Sequence, residues 1–171
     1  MMPASGAGPD ANRFVLGSEG AFGIVTEATV RVCPKPVFRA GASVHFDDFR
    51  RAVEATRSIA QSGLFPANCR LLDGAEAMLN GASSDGSSVL VLGFESADHD
   101  VAPSILRALE LTSSLGGTCP KGPVVKQSSD KARAGDAADH WRASFLRGPY
   151  LQDAMIRLGV VADTFETACT W

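Results

Sequence analysis

The sequence predicts an α+β fold in which an antiparallel sheet carries its helices on one face. Three observations predict it. Two successive strand–helix–strand patterns run from Gly41 to about residue 120. The run from Ser88 to Phe94 (Ser-Val-Leu-Val-Leu-Gly-Phe) is almost continuously apolar, as a strand in the middle of a sheet must be. The segments between the strands repeat apolar residues at helical spacing, so each has one face to bury.

Taken in order, residues 1–13 are rich in Gly, Pro, Ala and Asp and read as a loop. Phe14-Val15-Leu16 is a short apolar run, followed by the glycine segment Gly17-Ser18-Glu19-Gly20-Ala21-Phe22-Gly23. Ile24 to Val32 then alternates, with Ile24, Thr26, Ala28, Val30 and Val32 on one side and Val25, Glu27, Thr29 and Arg31 on the other. That period of two predicts a strand. Cys33-Pro34-Lys35-Pro36 stops it, because proline has no N–H to give to a ladder.

Ala42–Phe46 reads as a strand. Asp47 is placed to cap a helix from Asp48 to about Gln61, with Phe49, Ala52, Val53, Ile59 and Ala60 inward. Ala67–Leu72 is a short strand, Gly74–Leu79 a short helix, and Asn80–Ser87 a turn-rich loop. After the apolar strand at 88–94 comes a helix from Ala102 to Leu115 with Ile105, Leu106, Leu109 and Thr112 inward, and Thr118-Cys119 opens an edge strand. This order suits a split βαβ sandwich of the ferredoxin-like kind. Residues 121–139 read as a polar linker or an exposed helix. Two helical pieces split by Pro149 follow, carrying Trp141, Phe145, Leu146, Tyr150, Leu151, Met155 and Ile156, and then a strand from Val160 to Trp171.

Composition narrows the function classes. The chain has 171 residues, 45% of them hydrophobic and 20% charged, which is ordinary globular usage. Sixteen Lys and Arg against nineteen Asp and Glu leave a formal charge of −3, and a nucleic-acid footprint needs a basic stripe. No apolar run approaches the ~18 residues of a membrane helix. Met1-Met2-Pro3-Ala4-Ser5-Gly6 has neither the basic nor the apolar region of a secretory signal. Cys33, Cys69, Cys119 and Cys169 are widely spaced, and His45, His99 and His140 adjoin none of them. No metal site is expected, and free thiols of this kind suit a cytoplasmic protein.

The glycine segment has the chemical look of a binding turn. Its spacing is G-x-x-G-x-x-G and it leads into a strand, whereas the dinucleotide fingerprint is G-x-G-x-x-G leading into a helix. No Lys-Ser/Thr pair follows, so it is not a P-loop. From spacing alone it is a structural turn, or a surface that lets a phosphate or ring approach the backbone closely.

Leu16 to Val30 (Leu-Gly-Ser-Glu-Gly-Ala-Phe-Gly-Ile-Val-Thr-Glu-Ala-Thr-Val) closely resembles the segment that ends the FAD-binding domain of the vanillyl-alcohol-oxidase type flavoenzymes. Ala21 and Phe22 stand where the family has Thr and Leu. The resemblance implies that Gly17, Ser18, Glu19, Gly20, Ala21, Phe22, Gly23, Ile24 and Val25 meet FAD. Within this superfamily, Pro66-Ala-Asn-Cys-Arg-Leu-Leu-Asp73, Tyr150-Leu-Gln-Asp153 and Asp163-Thr-Phe-Glu-Thr-Ala-Cys-Thr-Trp171 resemble the alkylglycerone-phosphate synthase (alkyldihydroxyacetonephosphate synthase) family of ether-lipid enzymes. The resemblance implies an FAD-binding end over residues 1–36 and an incomplete FAD-linked-oxidase C-terminal, substrate-side domain over 37–171. It also implies a small-molecule partner, a lipid or a hydroxy acid, and is compatible with a homo-oligomer.

By the same resemblance Arg70 matches an arginine the family needs. It is either a fixed charge that steadies oxyanions beside the flavin or a salt bridge between sheet and cofactor domain. Tyr150 either presents its hydroxyl to the site or packs with a polar tip. Gln152 stands where the family has Arg. Glutamine brings no charge, so it cannot replace a bidentate arginine–phosphate pair, and Arg147 or Arg157 would have to compensate. Glu166 carries no proton-transfer role. Upstream FAD phosphate-binding segments and a downstream triple-histidine run, both usual in the family, do not occur here. The chain is therefore expected to be an internal piece, inactive by itself. Its parent is an alkylglycerone-phosphate-synthase-like enzyme, or an oxidase or dehydrogenase of 2-hydroxy acids such as D-lactate or glycolate. The remaining alternative is a non-catalytic truncated fragment.

Overall fold

A computed structural model describes residues 10–127, 150, 152–161 and 166–171. The chain divides into two compact units, residues 1–33 and 34–171.

In the first unit the residues before the glycines form a short helix, α1 (Ala11–Val15), where the sequence had read a loop as far as residue 13. Asp10 starts it, its carboxylate accepting the Asn12 N–H at 3.0 Å. The glycine turns fold back far enough to stack Phe22 on Phe14, ring centroids 4.3 Å apart. Ile24–Val32, predicted as a strand, belongs to no regular element. Its side chains are exposed throughout, Ile24 at 91% and Val32 at 84%. The alternation is real, but a strand exists only where a neighbour completes its hydrogen bonds, and none among the described residues does.

The second unit is a four-stranded antiparallel sheet with order β2-β3-β1-β4. Its elements are β1 (Phe38–Phe46), α2 (Phe49–Gln61), β2 (Asn68–Leu72), α3 (Gly74–Leu79), β3 (Ser88–Ser96), α4 (Ala102–Ser113) and β4 (Val124–Gln127). This is the predicted split βαβ arrangement. β1 pairs with β3 from Phe38↔Ser96 to Phe46↔Ser88. Alternate residues Ala40, Ala42, Val44 and Phe46 of β1 and Leu90, Leu92 and Phe94 of β3 point to one face. There they pack with Ala52, Ala55 and Ile59 of α2 and Ile105 and Ala108 of α4. The alanines let helix and sheet approach closely. Gly117 shows how closely: a Cβ there would stand 2.6 Å from Phe46 Cζ and 2.7 Å from Val44 Cγ1.

Several details differ from the sequence reading. Asp48, not Asp47, caps α2, accepting the Arg50 N–H at 2.8 Å. Phe49 and Leu106, expected inward, are 47% and 53% exposed. Phe49 is the first helical residue, one turn before the packed Ala52. Leu106 is rotated about 100° from the buried Ile105. Thr118 makes only an isolated bridge with His45, and the edge strand is β4, inside the stretch read as a linker. A four-residue strand carrying Lys126 and Gln127 has too little alternation to announce itself. The predicted strand over 160–171 is not seen at 160–161 or 166–171, where no described residue pairs with it. Trp141, Phe145, Leu146, Pro149 and Leu151, on the two predicted helical pieces, lie outside the described residues. So do His140, Arg147 and Asp163–Phe165.

The second face of the sheet is divided. α3 and the loop after it cover one half, burying Leu72, Ala77, Val89 and Val91 in a smaller cluster. β3 is thereby dry on both faces, which explains its continuous apolar run. The cover fits tightly, since a Cβ on Gly74 would lie 2.2 Å from the Gly86 carbonyl oxygen. The other half carries Arg39, Gly41, Asn68, Gly93 and Glu95, with Arg70 at the boundary.

Candidate functional site

The glycine segment is a series of tight turns. Ser18 N–H donates to the Val15 carbonyl, Ala21 N–H to that of Ser18 and Gly23 N–H to that of Gly20. Gly17 and Gly20 have φ of 81° and 88°, which glycine adopts without cost. Glu19 sits at φ 49°, a left-handed conformation that strains a residue with a side chain. A Cβ added at Gly17, Gly20 or Gly23 would meet nothing within 4 Å. Among the described residues the amides of Glu19, Gly20, Phe22 and Ile24 donate to no backbone carbonyl. Open space over the glycines, amides with no backbone acceptor and exposed Phe22, Ile24 and Val25 leave room for a flat, partly apolar group with acceptor oxygens. The residues present therefore fit FAD.

On the sheet, Arg70 of β2 faces away from the two long helices, level with Val91 of β3. Its Nη2 donates to Glu76 Oε1 at 3.3 Å, both side chains being about 40% exposed (44% and 37%). The pairing has a local cause. Asp73 caps α3 by accepting the Glu76 N–H at 2.8 Å, and the single turn so started turns Glu76 back toward Arg70. Further along the same face, Arg39 pairs with Glu95 across the strands at 3.3 Å, and Lys126 lies in register beyond Arg39. Between the two charged rows, Asn68, Gly93 and Gly41 lie side by side in register, with little side chain over the backbone.

Under α3 a polar chain ties the covering loop to β1. His45 Nδ1 is 3.0 Å from Ser87 Oγ, which is 3.1 Å from Ser83 Oγ, and Ser83 Oγ donates to Asp85 Oδ1 at 2.7 Å. The hydroxyls of Ser83 and Ser87, with the Ser87 N–H, hold the Asp85 carboxyl far below the usual carboxylate range. Ser83 and Ser87 are buried and meet no open space, so this chain is a fastening. A cleft of about 270 Å³ lies elsewhere, lined by Phe46, Asp47, Asp48, Arg51 and Gly116, none of which was predicted as a site residue.

Tyr150 is helical and 75% exposed, and Gln152 begins a helical stretch at 152–157. Glu166, placed on a strand by the sequence, is exposed and in no regular element. Cys69 packs under the sheet, and burial pushes its thiol above the ordinary range. Sequence reasoning missed Glu76, although Asp73-x-x-Glu76 has a capping-box spacing that could have revealed it. It also missed Phe65, which stands at φ 49° and 87% exposed, directly before Pro66 and the segment leading to Arg70.

The family described as FAD linked oxidases, C-terminal domain, matches residues 35–171. Alkyldihydroxyacetonephosphate synthase of Caenorhabditis elegans is 24% identical over 185 residues, covering 99% of this chain and 31% of the synthase. D-lactate dehydrogenase (cytochrome) 1, mitochondrial, of Saccharomyces cerevisiae is 42% identical over 69 residues, 40% of this chain and 12% of that protein. A solved alkyldihydroxyacetonephosphate synthase superposes with a TM-score of 0.64 at 24% identity, over 90% of this chain and 32% of that one, and so shares its fold. The chain thus spans about a third of the length of the synthase it matches. No helix among the described residues is long and apolar enough to cross a membrane. The chain belongs to the FAD-linked oxidases, matching their C-terminal domain, and FAD is the cofactor that goes with that family.

Proposed function

We propose that this chain is the part of an alkylglycerone-phosphate-synthase-like enzyme that joins the edge of the FAD site to the substrate domain. Such an enzyme exchanges the acyl group of an acyl dihydroxyacetone phosphate for a fatty alcohol, with no net redox change. One observation carries the reading: likeness to the synthase runs along 99% of the chain, while likeness to the 2-hydroxy-acid relatives covers 40% for the D-lactate dehydrogenase and 65% for glycolate oxidase subunit GlcD of Escherichia coli. In this reading residues 1–36 close the cofactor domain, residues 37–171 belong to the substrate domain, and the compartment is the cytoplasm.

Each predicted residue then has a task its position allows. Gly17 to Val25 offer backbone amides and apolar side chains to the cofactor. Arg70 holds a permanent charge on the sheet face, where it steadies a substrate oxyanion. Glu76 limits its swing. Tyr150 offers a phenolic hydroxyl from an exposed helical position. Gln152 donates neutral hydrogen bonds where a phosphate clamp would need a guanidinium. FAD, when bound, supplies an electrophilic ring for the exchange. Gln152 favours a second reading, oxidation of a 2-hydroxy acid such as D-lactate or glycolate, for which FAD would supply a hydride acceptor.

Two measurements separate the readings. In an FAD-loaded polypeptide containing this chain, ether product from acyl dihydroxyacetone phosphate and fatty alcohol supports the first. Bleaching of the flavin by D-lactate or glycolate, with no ether product, replaces it with the second. The 171-residue chain alone, purified in buffer containing FAD, is expected to emerge without stoichiometric flavin absorbance and without either activity. A stoichiometrically yellow protein overturns that expectation.

A further inference from the structure

The backbone of Glu76 is held on both sides. Its N–H donates to the Asp73 carboxylate at 2.8 Å, and its carbonyl oxygen accepts from the Asn80 N–H at 3.0 Å and from Asn80 Nδ2 at 2.9 Å. Gly74, two residues earlier, packs against the Gly86 carbonyl. The loop that carries Gly86 is fastened through Asp85, Ser83 and Ser87 to His45. The carboxylate that meets Arg70 therefore stands on a fixed base.

A half-exposed ion pair of this kind adds little to stability. What it changes is the charge that Arg70 offers. The guanidinium is always positive, and Glu76 Oε1 lies 3.3 Å from its Nη2, so the two together are close to neutral. Across the strands Arg70 is level with Val91, which brings no charge. Arg39 and Glu95 share this face, but Glu95 is four residues along β3 from Val91, roughly 13 Å at ~3.3 Å per residue. That is beyond the screening length of about 10 Å at moderate salt. Glu76, in direct contact, is the carboxylate that sets the field at Arg70.

We propose that Glu76 is a specificity-determining residue: by matching the charge of Arg70 it fits this position to a singly charged oxygen group, a carboxylate or an enolate, and against a phosphate dianion. The inference rests on Arg70 as the residue that meets the substrate oxyanion, and adds which anion it takes. For a phosphorylated substrate it places the phosphate away from Arg70. The size of the effect follows from Coulomb's law. An anion on the far side of the guanidinium stands about 6 Å from the Glu76 carboxylate. At the dielectric of water that repulsion weakens a monoanion about threefold and a dianion about tenfold.

The test is a titration of the full 171-residue chain at low ionic strength with D-lactate and with inorganic phosphate, in a mildly alkaline buffer where phosphate is mostly a dianion. The amide resonances of Leu71 and Val91, beside and opposite Arg70, report binding. Glu76→Gln keeps the shape and the helix propensity of the side chain and removes its charge. It should tighten phosphate about tenfold and D-lactate about threefold. Glu76→Asp keeps the charge and should keep the wild-type preference, which a merely structural role would not require. Arg70→Gln should abolish both responses. Equal changes for the two anions in Glu76→Gln, no change in either, or no response from any chain overturns the proposal. Responses that persist in Arg70→Gln mean that the anions bind elsewhere, and then the role given to Arg70 falls with it. Responses that vanish there while Glu76→Gln is unselective leave that role standing and overturn only the inference about Glu76.

Discussion

Arg70 and Glu76 make a half-exposed ion pair at 3.3 Å, and pairs of that kind are worth under about 1 kcal/mol. Arg70→Ala should therefore lower unfolding free energy by less than ~1 kcal/mol in a urea titration. A larger loss would mean that Arg70 is mainly a structural tie and would weaken its proposed role on substrate. Gly74 stands at the opposite extreme. A methyl group there would sit 2.2 Å from the Gly86 carbonyl oxygen, backbone against backbone, with no side chain able to yield. Gly74→Ala should cost about 1–3 kcal/mol by the same titration. Cys69 offers a chemical readout. Burial raises its thiol, so at pH 8 iodoacetamide should label the exposed Cys33 and Cys169 well before it. At this scale the sequence exposed the residues that resemble a motif, such as Arg70 and the glycines. It hid Glu76 and Phe65, whose importance comes from a helix turn and a backbone angle.

Among the elements, α3 has its predicted bounds, Gly74–Leu79, ahead of a turn-rich loop, and Asp73 caps it, a signal the sequence reading left unused. Removing that cap with Asp73→Ala should cost about 1 kcal/mol and loosen the cover over Val89 and Val91, visible as faster amide exchange in β3. The loop beyond α3 carries a pH dependence. Asp85 is held far below its ordinary value by Ser83 and Ser87, so its contribution is present above the unfolded value near pH 4 and is lost as pH falls below it. The stability difference between the wild type and Asp85→Asn should therefore shrink from pH 5 to pH 3. An unchanged difference would show that the carboxylate is not what fastens the loop. The misread elements have physical causes. Ile24–Val32 has a strand's pattern without a partner, and β4 has a partner without a strand's pattern. Helix faces were misjudged at Phe49, which precedes the first packed turn of α2, and at Leu106, which lies about 100° round the helix from the buried Ile105.

Across the whole chain, the two units differ in how their backbone is held. From Phe38 to Gln127 the sheet hydrogen bonds and a dry helix-facing layer fix the chain, whereas residues 24–33 are exposed and outside any regular element. Limited trypsin digestion should cut after Arg31 before it cuts after any arginine of α2 or α4. The bond after Lys35 should survive because Pro36 follows it. Mass spectrometry of the first fragments decides this, and early cleavage within α2 would contradict the packing described for it.

The strand order has a consequence for synthesis. β1 leaves the ribosome first, yet both its neighbours in the sheet, β3 and β4, are made later: Phe46 waits for Ser88, and Gly41 for Val124. In that interval α2 is the one long helix available to shelter the apolar side of β1, through Ala52, Ala55 and Ile59. A nascent chain stalled before residue 88 thus displays an open strand on both edges. Its safety during those seconds rests on a helix of thirteen residues.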